Sequence, residues 1–311
     1  MEFFKKVPTF PFMGQRKVWY VISAVLVIGS IALTAVRGLN FGIDFTGGVV
    51  LEYNYSGNAN LEATRQALHG GGFADVAVQN FGTARDVLVR LPPVPQGQKP
   101  DAVANRVTAA VQSVDPGATL RRTEVVGAQV GQELFVKGFQ ALGLTLLLIM
   151  LYVWLRFEWK FGVGAVLAAL HDPILIVGLF ALTQMTFDLS VLAAILAVIG
   201  YSLNDTVVVF DRVRERFLSM RGATPMQIMD VSVNETLSRT VITSGTTLLT
   251  VVALFLLGGE TLRGFSAALI VGIVVGTYSS IFVAAGVSLD LGLTQEDLMP
   301  SAKTKQVDDL P

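Results

Sequence analysis

Six stretches of this chain are apolar enough, and long or nearly long enough, to cross a lipid bilayer, and few folds can accommodate them. A hydrocarbon core of about 30 Å takes roughly 20 apolar residues as helix. Residues 18–36, 138–155, 189–210, 240–258 and 264–288 meet or approach that length. A sixth stretch, 162–183, is apolar apart from His171 and Asp172. Only 15% of the residues are charged and 52% are hydrophobic. That is more apolar surface than a soluble core can hide. A signal peptide is the competing reading of the first stretch. Its apolar run is too long for that, and no convincing small-x-small cleavage site follows.

Basic residues set the expected orientation, because they collect on the cytoplasmic side. Lys5, Lys6, Arg16 and Lys17 precede the first stretch, Arg156 and Lys160 sit between the second and third, and Arg212, Arg214, Arg216 and Arg221 follow the fourth. The loop at 184–188 has no Lys or Arg, and that at 259–263 has one, Arg263. The expectation is a multi-pass protein of a bacterial inner membrane with both termini cytoplasmic. Residues 1–17 are then a cytoplasmic N-terminus and 18–36 the first transmembrane helix. Residues 37–135 form an outside domain, periplasmic in a Gram-negative cell. Residues 136–288 hold transmembrane helices two to six, and 289–311 a cytoplasmic tail. The net charge of −1 gives no basic patch for nucleic acid. With no cysteine, and with two histidines far apart at His69 and His171, neither a metal nor another cofactor is expected.

The outside segment reads as a small α/β unit. Val49–Tyr55 alternates as a strand, and Leu61–Leu68 reads as a helix ended by the glycines at 70–72. Val76–Phe81 and Asp86–Leu91 flank Gly82 as a hairpin. After Pro92, Pro93 and Pro95, a helix is predicted near Asp101–Val114 and a last strand at Thr119–Val126. The order β-α-β-β-α-β is that of a ferredoxin-like fold. No nucleophile–base pair or phosphate loop is visible in it. A binding or force-transmitting part is expected, not an enzyme.

Asp205 is the most informative residue, a carboxylate inside the fourth stretch. Such a charge costs several kcal/mol in hydrocarbon and normally faces a protein interior with a partner. Tyr201, Ser202, Asp205 and Arg212 fall on one arc of a helix. The competing reading puts Asp205 at the helix end, near Asp211 and Arg212. In the fifth stretch Arg239, Thr240, Thr243, Thr246, Thr247 and Thr250 share a face. These hydroxyls either line a hydrated path or helix contact, or bond carbonyls of their own helix. An Asp opposite an Arg and a threonine ladder can take up and release a proton. Asp172, beside Pro173 in the third stretch, either joins that path or accepts hydrogen bonds from freed backbone or a neighbouring helix. The sixth stretch spaces Gly264, Ala268, Gly272, Gly276, Ser280 and Ala284 every four residues. Such a strip admits a closely packed helix, of this chain or another.

Three motifs resemble the SecD/SecF family of protein-export membrane proteins, within the resistance-nodulation-division (RND) superfamily. One is Gly42-Ile43-Asp44-Phe45-Thr46-Gly47-Gly48. The second runs from Gly200 through Asn204 and Asp205 to Glu215. The third runs from Arg239 through Thr243 to Thr247, followed by Gly258 and Gly259. His171-Asp172 also looks like the family pattern. With the order of spans and the single outside domain, the resemblance covers nearly the whole chain. It implies a subunit that uses the proton-motive force, together with SecD, to help exported chains cross through the SecYEG translocon. It places the relay carboxylate at Asp205 with Arg239 as its basic partner. It also adds YajC and a translocating polypeptide as partners. Half of an RND-type small-molecule or lipid exporter is the alternative, since such exporters carry two six-span halves. A scaffold without proton coupling has little need of Asp205. An intramembrane aspartyl protease using Asp172 and Asp205 lacks a matching flanking sequence.

Overall fold

The computed structural model describes residues 7–94, 98–220, 222–294 and 297. Lys5, Lys6, Pro95, Arg221 and nearly all of 295–311, which the sequence reading used, lie outside the described residues. Six helices are long and apolar enough to cross a membrane among the residues described: Met13–Arg37, Ala128–Arg156, Trp159–Thr183, Leu189–Ser219, Pro225–Leu257 and Glu260–Asp290. Their main α-helical parts are α1 (Arg16–Arg37), α5 (Ala128–Arg156), α6 (Trp159–Thr183), α7 (Leu189–Ser219), α8 (Pro225–Leu257) and α9 (Glu260–Ser279). After α9 a π-helical turn, Ser280–Ala284, leads into α10 (Ala285–Asp290). The helices outrun the apolar stretches because their polar ends stay hydrogen-bonded as helix. Asp188 caps α7 by accepting from Val191 N at 2.9 Å. Thr224 and Gln227 form a capping box before Pro225 at the start of α8. Pro173 sits inside α6 without ending it.

Spans α6, α7 and α9 are the most buried, while α1, α5 and α8 carry little buried surface. Large exposed apolar residues such as Val25, Ile28, Leu147, Leu151 and Leu249 belong to those outer helices. Lipid is the solvent that tolerates them. The small-residue strip of α9 packs against this chain's own α7. A Cβ added at Gly264 would meet Val191 at 3.1 Å, one at Gly276 would meet Ser202 at 2.9 Å, and one at Gly272 would strike the Val198 side chain.

The remaining elements form one domain on the Gly38 side of the helices. They are α2 (Ile43–Thr46), β1 (Gly48–Asn54), α3 (Leu61–Gly70), β2 (Ala77–Phe81), β3 (Thr83–Leu91), α4 (Pro100–Val114) and β4 (Thr119–Val126). The sheet is antiparallel in the order β2-β3-β1-β4. Register pairs Val49 with Leu91, Leu51 with Val89 and Tyr53 with Val87. These alternate residues point at α3 and α4, where Leu68, Val103, Val107 and Val111 complete a buried core. The opposite face, with Glu52 and Arg90, looks onto a cleft of ≈ 570 Å³. Its far wall includes Asp188, Glu260 and Arg263 at the helix ends.

Candidate functional site

Two carboxylates lie inside the helix bundle, each held by side chains from neighbouring spans. Asp205 is 8% exposed and Asp172 is 0% exposed. Helix α7 continues to Ser219, so Asp205 lies well inside it and not at its end. Asp205 Oδ1 accepts from Thr240 Oγ1 of α8 at 2.7 Å, and Oδ2 accepts from Ser280 Oγ at 2.8 Å. Asp172 Oδ2 accepts from Ser202 Oγ of α7 at 2.6 Å and from Ser279 Oγ of α9 at 3.0 Å. Its Oδ1 lies 2.9 Å from His171 Nδ1. Consecutive residues, Ser279 and Ser280, thus reach the two different carboxylates. Gly276, one turn earlier, lets Ser202 and Asp172 approach: a Cβ there would sit 3.4 Å from Asp172 Oδ2.

Among the described residues, no Lys or Arg is ion-paired with either carboxylate. This corrects the direct pairing of Asp205 with Arg239. One residue is about 100° of helix, so Thr240 points into the bundle while Arg239 lies on the exposed face of α8. The threonine ladder divides at the same point. Thr243 donates to Arg239 O at 2.9 Å, Thr247 to Thr243 O at 2.9 Å and Thr250 to Thr246 O at 3.1 Å, all within α8. Their hydroxyls close on their own helix, and Thr240 alone of the ladder reaches a carboxylate. Arg212 leaves the stripe as well, pairing with Glu215 at 2.8 Å. Asp172 accepts hydrogen bonds from two neighbouring helices, one of the two arrangements foreseen for it. The serines at 279 and 280 were the missing donors. Two adjacent hydroxyls inside an apolar span are the signal that marks them.

Gly200 and Asn204 lie elsewhere on α7. Together with Ala193 and Ala197 they form an exposed line at helical spacing. A Cβ at Gly200 meets nothing within 4 Å. Arg239, Thr243, Thr246 and Thr250 are exposed on α8. A face of small and polar side chains in the membrane-spanning region is therefore uncovered beside the Asp205 site.

The Gly42–Gly48 motif builds the joint between domain and helices. Gly42 N donates to Phe187 O at 2.8 Å, and Asp44 Oδ2 accepts from Leu189 N at 3.0 Å at the start of α7. Gly47 and Gly48 have φ of 70° and 134°, which suits glycine. A Cβ on Gly47 would also meet Ala128 at 2.8 Å, where α5 begins. Phe41, Phe45, Phe135 and Phe187 pack edge to face around the motif. Arg90, which the sequence did not single out, donates from β3 to Thr46 Oγ1 at 3.1 Å and to Phe41 O. Burial holds the Arg90 guanidinium below its ordinary value. Glu52, on the same sheet face, is raised by burial, partly offset by the Arg122 charge. Among the described residues, no group of three or more His, Cys, Asp or Glu could hold a metal ion.

Comparison with known proteins follows the same map. Residues 106–294 match the family described as protein export membrane protein SecD/SecF, C-terminal. Residues 32–59 match the SecD/SecF GG motif. The chain belongs to the SecD/SecF family. It is 47% identical over 308 residues to a protein translocase subunit SecF of Pseudomonas aeruginosa, covering 98% of this chain and 99% of the relative. The SecF subunit of Vibrio alginolyticus is 46% identical over 306 residues, covering 98% and 97%. The crystal structure of SecDF from Thermus thermophilus, titled a translocon-associated membrane protein, superposes with a TM-score of 0.82 at 37% identity. That match covers 91% of this chain but only 39% of the SecDF chain. A second SecDF structure, in a form titled super-membrane-facing, matches with a TM-score of 0.64. This SecD/SecF-family chain is thus a multi-pass membrane protein whose fold spans well under half of SecDF.

Proposed function

We propose that this chain is the SecF-type subunit of the Sec export machinery, working in a bacterial inner membrane with both termini cytoplasmic. It pairs with SecD, meets SecYEG and YajC, and uses the proton-motive force to draw a translocating polypeptide across. The observation that carries the reading is Asp205: a buried carboxylate held by two hydroxyls, with no ion-paired cation among the described residues, beside an uncovered face that carries Arg239. An ionised carboxylate held only by neutral donors is marginal in low dielectric. Protonation removes the charge and weakens the hydrogen bonds from Thr240 and Ser280, so α8 and the π turn after α9 each lose one polar tie to α7. Thr243 and Thr247 shape the face around Arg239 on this reading, and Asp172 belongs to the same buried network. The uncovered line through Gly200 and Asn204 is the surface SecD would cover, a reading favoured by the portion of SecDF that this chain does not span. The outside domain, read as ferredoxin-like from its strand order, handles the polypeptide, and the Gly42–Gly48 joint transmits motion to it.

The test is Asp205→Asn, which keeps size and hydrogen bonding while removing titration. Export is measured in energised and proton-depleted vesicles. The variant assembles and exports at the unenergised level. Full gradient dependence in the variant would remove Asp205 from the relay.

A further inference from the structure

His171 uses only half of its hydrogen-bonding capacity. Its Nδ1 lies 2.9 Å from Asp172 Oδ1, whereas its Nε2 is buried and has no partner among the described residues. The residue is 6% exposed. A buried polar atom without a partner is uncommon and calls for an explanation. The titratable groups around the ring are Asp172 on its own helix and Tyr278 of α9, whose ring centroid is 5.8 Å away. The Tyr278 hydroxyl is engaged elsewhere, with Trp19 O at 3.2 Å and with Ser23, both on α1. Asp205 lies beyond the serines. An imidazole carrying its proton on Nδ1 donates to Asp172 and leaves a lone pair at Nε2, which is the cheaper of the two ways to leave that nitrogen alone.

We propose that His171 and Asp172 form a second proton-binding site, loaded at His171 Nε2 and linked to Asp205 through the adjacent hydroxyls of Ser279 and Ser280. The coupling to Asp205 rests on the proposed relay role of that residue. On loading, hydronium gives its proton to the Nε2 lone pair and leaves as water, while Nδ1–H stays directed at Asp172. The His–Asp pair passes from one negative charge to none, and release reverses the step. The link is geometric. Ser279 reaches Asp172 at 3.0 Å and Ser280 reaches Asp205 at 2.8 Å, and the second serine opens the π turn Ser280–Ala284. Turns of this kind inside α-helices concentrate at functional sites. Neutralising either carboxylate weakens its claim on one of two neighbouring hydroxyls, so the state of one is felt at the other through a single turn of backbone.

The chain contains two histidines, and His69 is exposed on the domain. His69→Gln therefore leaves one imidazole to observe. The experiment is nitrogen NMR of the full chain, labelled at histidine, in lipid nanodiscs from about pH 5 to 9. The expected result is a single titration of His171 whose midpoint moves to lower pH by about one unit in Asp205→Asn, since a nearby negative charge is lost. His171→Asn, whose Nδ2 donates as Nδ1 does but cannot titrate, keeps the chain folded and flattens the pH profile of gradient-driven export. An imidazole in one protonation state throughout, or a midpoint indifferent to Asp205→Asn, overturns the proposal. If His171 stays silent while Asp205→Asn still abolishes gradient dependence, this inference fails and the proposed function stands. If His171 titrates while Asp205→Asn keeps gradient dependence, the proton site stands and the function fails.

Discussion

A single step along α8 decides which side chain serves Asp205. Arg239 and Thr240 are neighbours in sequence, but Thr240 is 1% exposed and bonded to the carboxylate, and Arg239 faces outward. The two substitutions should therefore part company in the chain studied without its partners. Thr240→Val and Ser280→Ala each leave one Asp205 oxygen without its donor, at a cost of about 1–3 kcal/mol. Arg239→Met, at an exposed position, should change stability by less than about 0.5 kcal/mol. Thermal unfolding in detergent measures both, and a larger loss for Arg239→Met would mean that the ion pair, not the hydroxyl, holds the site. Asp205 itself was legible because a charge in an apolar run has few places to go. Its donors were not, because periodicity gives an arc of about 100° and cannot say which edge of the arc faces inward.

Among the elements, the α9 strip and the α7 line through Gly200 look alike in sequence and differ in the fold. Gly272 lies against Val198, whereas Gly200 meets nothing. Gly272→Leu should overpack the α7–α9 contact at about 1–3 kcal/mol and lower the yield of folded chain. Gly200→Leu should leave that yield unchanged and instead reduce recovery of a co-purifying partner subunit. Equal effects in the isolated chain would contradict the packing described. In the domain, Asp115 accepts from Ser56 N at 2.7 Å and from Gly117 N at 2.9 Å. The Ser56 backbone bond, then that of Gly117, holds its carboxyl below the ordinary value. A group lowered on folding adds stability above the unfolded carboxylate range, and that stability is lost as pH falls through the folded value. Acid unfolding of the domain should accordingly be less steep in Asp115→Asn, as followed by circular dichroism between neutral and acid pH. The domain's strands were readable from alternation, and Thr119–Val126 was bounded as observed. The extension of α8 back to Pro225 was not, because its first turns mix Ile228, Met229 and Val233, which enter the core, with Gln227, Asp230 and Asn234, and so break the apolar run that marks a span. Phe10 N and Met13 N donate to Asn234 and Asp230 at 3.0 and 2.8 Å.

At the scale of the molecule, the domain is tied to the bundle by Arg90 and by the Gly42–Gly48 joint. Arg90→Met would leave the part-buried Phe41 carbonyl without this donor, at a cost of about 1 kcal/mol, while the exposed Thr46 hydroxyl keeps its bonds to Gly42 O and Gly47 O. The sheet core, which lies on its other face, should stay intact. Hydrogen exchange should then speed up at residues 40–48 and not in β1 beyond them, and uniform exchange would show that Arg90 braces the domain and not the joint. The number of spans and the order of strands and helices in the domain were set by the sequence alone, because both follow from local periodicity against a bilayer or a sheet. So was the presence of a buried acid in the fourth span. Tertiary structure alone decided that α9 packs on α7, that Thr240 and three serines, not Arg239, surround the carboxylates, and that Asp172 and Asp205 take hydrogen bonds from the adjacent residues Ser279 and Ser280. Those outcomes depend on how rigid helices rotate against one another, and a linear pattern gives each helix a face without giving that face a neighbour.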